Sequence, residues 1–258
     1  MGFFSKLFEK KTCAICGGEI GLLGNRKLED GNMCKTCAGK LSPFFSDRRS
    51  STVAQIQEQL AYREENKKAV AAFNTTLSLG DDTKLLVDED AGKFMVTDAR
   101  NLLQENPDVL DFSQVTGCQV DIEEDRDEEM RKDDEGNEVS YTPPRYNYRY
   151  DFTVVIHVNH PYFNEISFQL NDTSVETTDG MAVPVIRKPD PRSNAEYAKY
   201  EDMASQIKEL LTESRTRARQ EAKDAAAPKA PVTCVHCGAL TMPDARGCCE
   251  YCGGRATE

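Results

Sequence analysis

Apolar and polar positions alternate with a helical period between residues 50 and 70. Thr52 and Gln55 have the spacing of a capping box, in which side chains and backbone N–H groups pair reciprocally at a helix start. The pattern therefore predicts a connecting helix over residues 50–70. Its apolar stripe is Val53, Ile56 and Leu60, and its remaining face, which we expect to be solvated, carries Glu58, Arg63, Glu64, Lys67 and Lys68.

Between residues 71 and 190 the period changes to that of β-strands. Turn residues such as Gly80-Asp81-Asp82 and Asn159-His160-Pro161 separate the runs. We expect about six or seven strands, mainly antiparallel. They correspond to the segments TTLSL, TKLLVDE, GKFMVT, FSQVTGCQVDIE, YNYRYDFTVVIHV and FNEISFQL.

A long helix with a polar linker is predicted over residues 191–227. Ser193 and Glu196 have capping-box spacing, and the expected buried stripe is Tyr197, Tyr200, Ala204, Ile207 and Leu211. The fold class is thus α+β, with a mainly antiparallel middle domain closed by this helix and flanked by two small cysteine modules. This order of elements resembles the pleckstrin-homology-like superfold, a resemblance that concerns the fold and not the function.

Paired cysteines define small modules at residues 1–49 and 228–258. A C-x-x-C turn places two sulfurs on one edge of a tetrahedron, and two such turns complete a zinc shell. We expect two zinc ions per chain, one in a treble-clef-like N-terminal module and one in a C-terminal zinc ribbon. The predicted ligands are Cys13, Cys16, Cys34 and Cys37 for the first ion and Cys234, Cys237, Cys249 and Cys252 for the second.

Other chemistry for these cysteines fits the pattern less well. Cys249 is preferred over the adjacent Cys248 because it alone gives the C-x-x-C-G spacing, so Cys248 is a spare thiol that a zinc-thiolate redox sensor would use. Iron in a rubredoxin-like site has the same spacing. A catalytic zinc needs an open coordination position, which four thiolates do not leave.

The first module also resembles a known family. Its paired cysteines, the loop LLGNRKLEDG and the exit LSPFF are similar to the bacterial domain-of-unknown-function family 4428. The resemblance covers about the first fifty residues. It implies a small zinc-binding module of uncharacterised function at the start of a bacterial cytoplasmic protein, with no catalytic residue to transfer.

The chain is acidic, with a net charge of -12. Residues 121–138 hold eleven Asp and Glu against three Lys and Arg, and we expect an acidic, solvated loop over residues 121–143. Just after it, PRYNYRYDF interleaves arginines with tyrosines. Strand alternation would put the tyrosines on the core face with Phe152 and the arginines opposite Asp121 and Glu123.

This charge disfavours nucleic-acid binding, whose affinity comes largely from the release of counterions by basic residues. The possible exception is a basic patch in the first module, formed by Arg26, Lys27, Arg48 and Arg49. Residues 1–11 combine phenylalanines with lysines and could make peripheral membrane contact as a short amphipathic helix. No run approaches the length of a transmembrane segment.

Taken together, these patterns predict a cytoplasmic, non-enzymatic zinc-binding adaptor or scaffold with a protein partner. The cytoplasmic location is the default without a secretory signal, and paired cysteines in that reducing compartment are metal ligands rather than disulfides. Two alternatives are a regulatory protein that binds nucleic acid through the first module and a redox sensor that releases zinc.

Overall fold

The structure is a computed structural model that describes residues 11–178, 188, 190–226, 231–244 and 246–256. The chain divides into two units, Met1–Thr216 and Arg217–Glu258, each described by itself. The architecture is mixed α and β, with mostly antiparallel sheets, a long C-terminal helix and a cysteine cluster near each end, as the sequence predicts.

The N-terminal module consists of two small hairpins followed by a short helix. Strands β1 (Lys11–Thr12) and β2 (Glu19–Ile20) pair, as do β3 (Asn25–Lys27) and β4 (Asn32–Cys34), and α1 spans Lys35–Ala38. A 3-10 turn at Asp47–Ser50 leads into the next helix. The module has its own buried core, formed by Cys13, Ile20, Leu28, Met33, Cys37, Leu41 and Ile56.

Helix α2 (Val53–Ala72) begins with the predicted capping box: Thr52 and Gln55 each accept a hydrogen bond from the other's backbone N–H. Ile56 joins the core of the module. The expectation that Arg63 lies on a solvated face is wrong. Arg63 is buried, as are Gln59, Asn66 and Val70, because this side of the helix packs on residues 106–108.

The first of the two larger sheets is a four-stranded antiparallel meander. Its strands are β5 (Leu77–Leu79), β6 (Lys84–Asp88), β7 (Lys93–Thr97) and β8 (Leu110–Asp111), with α3 (Leu102–Glu105) between the last two. Apolar side chains of β6, β7 and β8 other than Leu86 are buried, and Phe94 stacks on Phe112 with ring centroids 5.5 Å apart. The two-residue β8 was not predicted, because so short a strand carries no period.

The second sheet is centred on one long strand, β10 (Glu138–Val158). Strand β9 (Val115–Lys132) pairs along one side of it. On the other side, β11 (Glu165–Gln169) pairs with residues 153–157 and β12 (Val175–Thr178) with residues 147–150. The core side of β10 carries Tyr148, Tyr150, Phe152, Val154 and Ile156, all buried.

The acidic segment 121–143 is not a loop, which corrects the sequence prediction. Strands β9 and β10 continue through it as a two-stranded arm that turns at residues 133–137. Arg149 of β10 explains how two neighbouring carboxylates of β9 are accommodated, because its guanidinium lies 2.6 Å from both Asp125 and Asp127. Tyrosines and arginines do alternate between faces, but the register pairs Arg149 with Asp125 rather than with Asp121 or Glu123.

Helix α4 (Ala195–Ala226) covers the core with the predicted stripe. The five residues of this stripe all lie in the first unit and are buried: Tyr197, Tyr200, Ala204, Ile207 and Leu211. The Tyr197 ring meets Tyr150 and Phe152 edge-on. The predicted cap is wrong by one residue, because Asn194, not Ser193, accepts the backbone N–H groups of Glu196 and Tyr197.

The second unit contains a small hairpin of β13 (Val232–Thr233) and β14 (Leu240–Thr241). Its buried apolar cluster is Cys234, Cys249 and Ala256, with Val232 packed against it. A core of this size is far below what a domain needs for stability from burial, so another source of stability is required.

Candidate metal centres

The first cysteine pair sits in a tight knuckle between β1 and β2. The N–H of Gly17 donates to the Cys13 carbonyl at 2.9 Å, and the N–H of Cys13 donates to the Gly18 carbonyl at 2.8 Å. Gly17 has φ +72°, a conformation that side chains with a Cβ rarely adopt. The glycine after the C-x-x-C thus lets the chain fold back and turns both thiols to the same side.

The second pair lies at the start of α1. Cys34 is the N-cap of this helix, and its sulfur accepts the Cys37 backbone N–H at 3.3 Å. The Cys34 N–H in turn donates to the Cys13 sulfur at 3.3 Å, which ties the two pairs together. The order of knuckle, hairpin and helix brings all four sulfurs within 4.8 Å of one another.

The second tetrad repeats the knuckle twice. Gly238 and Gly253 follow its two C-x-x-C pairs with φ +69° and +70°. Their N–H groups donate to the backbone carbonyls of Cys234 and Cys249 at 2.8 Å. The sulfurs brought within 4.8 Å of one another are those of Cys234, Cys237, Cys249 and Cys252. Cys248 is not among them; its N–H donates to the carboxylate of Asp244.

Sulfur separations in both tetrads fit a tetrahedral metal. Zinc–sulfur bonds of ~2.3 Å at tetrahedral angles require sulfurs ~3.8 Å apart. The separations are 3.9 Å for Cys16 to Cys34, 3.6 Å for Cys234 to Cys252 and 3.8 Å for Cys237 to Cys249. Four soft donors at these distances are a donor set suited to zinc, so each tetrad could hold one ion in a closed shell.

The protonation of the free thiols points the same way. Burial opposes ionisation of Cys13, but the N–H groups of Cys16 and Cys34 outweigh it and lower the pKa of Cys13 to about 6. Burial and the neighbouring sulfurs raise the pKa of Cys37 to about 12. Cys13 therefore ionises more readily than Cys37, and a bound metal would displace the remaining protons and neutralise the thiolates.

A buried polar network joins the N-terminal module to the first sheet. Asp108, which precedes β8, accepts a hydrogen bond from the Ser42 hydroxyl at 2.7 Å. It also forms an ion pair with Arg63, with 2.7 Å between its Oδ1 and the guanidinium Nη1. The Asp108 side chain is fully buried, and Arg63 is 7% exposed. Arg63 also donates to the Lys40 and Asn106 carbonyls. One side chain of α2 thus binds both the exit of the module and the sheet.

The same contact is extended by amide and aromatic groups. Asn66 donates to Asn106 Oδ1 and to the Pro107 carbonyl at 2.9 and 2.7 Å. The Phe44 ring, in the segment that follows α1, packs on Phe163 in the β10–β11 connection, with 5.4 Å between the ring centroids. Sequence reasoning missed this network, because the hydrogen bonds of Asn106 and Asp108 to α2 and to Ser42 join residues that are 40 to 66 positions apart in the chain.

The four cations predicted to contact nucleic acid do lie together. Arg26, Lys27, Arg48 and Arg49 line one cleft of the N-terminal module, named here the basic cleft, together with Glu29. Arg48 donates to the Lys27 carbonyl. Burial and the positive charges of Arg49 and Arg26 lower the pKa of Arg48. Among the described residues, none of these cations forms an ion pair with a carboxylate.

Sequence reasoning missed two exposed leucines beside this cleft. Leu22 and Leu23 are 82% and 92% exposed, although they belong to a module whose other aliphatic residues are largely buried. The sequence signal was present, because Gly21 and Gly24 bracket the pair as turn residues. The predicted membrane contact of residues 1–11 falls almost wholly outside the described residues.

The N-terminal module is similar to a known family over part of its length. A family model described as "Domain of unknown function (DUF4428)" matches residues 12–59, which include the first tetrad. Neither the curated proteins nor the solved structures give a match to the chain. The pleckstrin-homology-like fold of the middle of the chain stays a prediction that rests on element order. Within the described part of the chain, no helix is long and apolar enough to span a membrane.

Proposed function

We propose that this protein is a non-enzymatic adaptor of the reducing cytoplasm, in which two zinc centres hold small modules that bind a protein partner. The observation that carries the proposal is that each tetrad brings together four sulfurs, which is enough to fill the tetrahedral coordination shell of one zinc ion. A saturated zinc supplies folding energy and offers no position to a substrate. The cytoplasmic location is part of the proposal because thiolate ligands must stay reduced.

The second unit supports the proposal with a surface suited to a partner. Four of its apolar side chains are at least half exposed: Val235, Leu240, Met242 and Tyr251. Aromatic and methionine side chains are enriched at protein interfaces, where they act as anchors. Since zinc rather than burial would stabilise this unit, its apolar side chains are available for contact.

The test is affinity capture with matched variants. A defined partner should bind the wild-type chain and be lost from the double variant Leu240→Ser/Tyr251→Ser. Leu103→Ser, at an exposed position of the first unit, is the matched control and should retain the partner. Metal analysis should give two zinc ions per chain for all three proteins. Capture of the same partners by the double variant would contradict the proposed surface, and a chain purified with free thiols and no metal would contradict the proposal as a whole.

A further inference from the structure

The two exposed leucines of the N-terminal module occupy the tip of a closed turn. The N–H of Gly24 donates to the Gly21 carbonyl at 2.9 Å, so Leu22 and Leu23 take the two central positions. The turn follows directly from Ile20, which is buried in the core of the module beside the metal ligands. A firmly held turn therefore projects two adjacent aliphatic side chains into solvent; we name it the leucine turn.

The leucine turn is continuous with the basic cleft. The Arg26 guanidinium, which lines the cleft, donates to the Leu23 carbonyl at 3.3 Å. Four cations and the single carboxylate of Glu29 line the cleft, so its lining carries a net charge of 4 minus 1, or +3. Apolar side chains at a tip, and behind them cations that form no ion pair with any carboxylate of the described residues, make up one composite surface.

We propose that the leucine turn and the basic cleft together bind the surface of an anionic phospholipid membrane. Leu22 and Leu23 would enter the boundary between headgroups and acyl chains, while the cations of the cleft contact lipid phosphates. Interfacial binding grows with buried apolar area and with attraction between basic residues and anionic lipids. The proposal is independent of the partner surface argued above, because that surface lies in the second unit and the leucine turn lies in the N-terminal module.

A membrane accounts for both parts of this surface, whereas a nucleic acid accounts for one. Phosphates of a nucleic-acid backbone would satisfy the cations of the cleft. Leucines at the tip of a turn have no comparable partner on such a backbone and would stay in water. The adjacency of Leu23 and Arg26 therefore favours a surface that is both apolar and anionic.

Insertion can be observed directly because the chain contains no tryptophan. Leu23→Trp places one fluorophore at the tip of the leucine turn. On addition of vesicles of equal parts phosphatidylglycerol and phosphatidylcholine, its emission should shift to the blue and be quenched by brominated lipid. Leu103→Trp, at an exposed position on α3, is the matched control and should show neither effect. Vesicles of phosphatidylcholine without anionic lipid should give a much weaker response.

Cosedimentation of the zinc-loaded full chain with the same vesicles measures the two contributions. Leu22→Ser/Leu23→Ser should weaken binding by on the order of 100-fold, from the lost burial of two leucines. Lys27→Gln/Arg49→Gln should weaken it by about 30-fold, from the loss of two cations near the anionic surface. Lys67→Gln/Lys68→Gln, which removes two exposed cations of α2, should leave binding unchanged. Two zinc ions per chain in every variant would show that folding is retained.

Three results would overturn the proposal. The first is no binding of the wild-type chain to anionic vesicles. The second is binding that does not depend on the leucines, seen either as unchanged emission of Leu23→Trp or as binding that survives Leu22→Ser/Leu23→Ser. The third is a salt-dependent mobility shift of duplex DNA that competes with vesicles and is unaffected by the leucine changes, which would assign the cleft to nucleic acid.

Discussion

Replacement of Asp108, a buried carboxylate with three side-chain partners, should strongly destabilise the first unit. Asp108→Ala leaves the guanidinium of Arg63 buried without its carboxylate, and it removes the acceptor of the Ser42 and Tyr62 hydroxyls. Breaking a buried ion pair by removing one partner costs about 3–5 kcal/mol. We expect a loss of that size in the free energy of unfolding.

Urea unfolding followed by tyrosine signal isolates this effect, because every tyrosine except Tyr251 lies in the first unit. With a urea slope on the order of 3 kcal/mol/M for a unit of this size, the midpoint should fall by about 1 to 1.7 M. Zinc content should remain two per chain, since neither Arg63 nor Asp108 belongs to a tetrad.

A matched control lies on the same helix. Lys67 and Glu64 also form an ion pair, at 2.6 Å, but both side chains are more than half exposed. Lys67→Ala should therefore change the free energy of unfolding by less than about 0.5 kcal/mol. The reasoning also predicts that Arg63→Met/Asp108→Leu is less destabilising than Asp108→Ala, because it leaves no unpaired charge. A midpoint for Asp108→Ala within about 0.3 M of wild type would refute the argument.

Three further expectations concern single side chains. Cys252→Ser should reduce the zinc content to one per chain, whereas Cys248→Ser should leave two; equal losses in metal analysis would contradict the assignment of Cys249. Thr52→Ala removes one half of the capping box of α2 and should lower the free energy of unfolding by about 1 kcal/mol in the urea assay, and no change would show that the cap is redundant. Burial lowers the pKa of His160 below 6.5 in the folded chain, so His160 binds a proton at higher pH in the unfolded chain than in the folded one. The free energy of unfolding therefore decreases as the pH falls below 6.5. His160→Gln should flatten the dependence of the urea midpoint on pH between about 7 and 5, and an unchanged slope would argue against the shift.

The two cysteine tetrads could be predicted from sequence because their geometry is local. A C-x-x-C followed by glycine needs only a few residues to place two sulfurs on one side, and Gly17, Gly238 and Gly253 all adopt the positive φ that this turn requires. The buried stripe of α4 was predictable for a similar reason. Its period persists over four turns, which leaves one consistent face. Only its cap, where Ser193 and Asn194 compete, was misassigned.

The acidic arm could not be predicted because composition and pairing conflict there. A run of eleven acidic residues among eighteen predicts a solvated loop. A strand forms because the opposite strand offers Arg149 to two carboxylates and because β10 continues from the core without interruption. The favourable cross-strand partners lie more than twenty residues away, so no local window contains both.

Arg63 shows a different limit of prediction from sequence. The helical period of α2 is confirmed, but the prediction that the face carrying Arg63 is solvated is wrong. Helix α2 contacts the N-terminal module through Ile56 and the segment before β8 through Arg63, so two separate surfaces cover it. A polar residue on the second surface is indistinguishable from a solvated one until its partner is known. The carboxylate of Asp108, the Ser42 hydroxyl and the Asn106 carbonyl must converge on one point for the buried charge to be tolerated. Since those groups come from the module and the sheet, only one docking of the two satisfies them all. The network therefore fixes where the module's leucine turn and basic cleft point relative to the sheet, a task that a metal ion bound within the module would not perform.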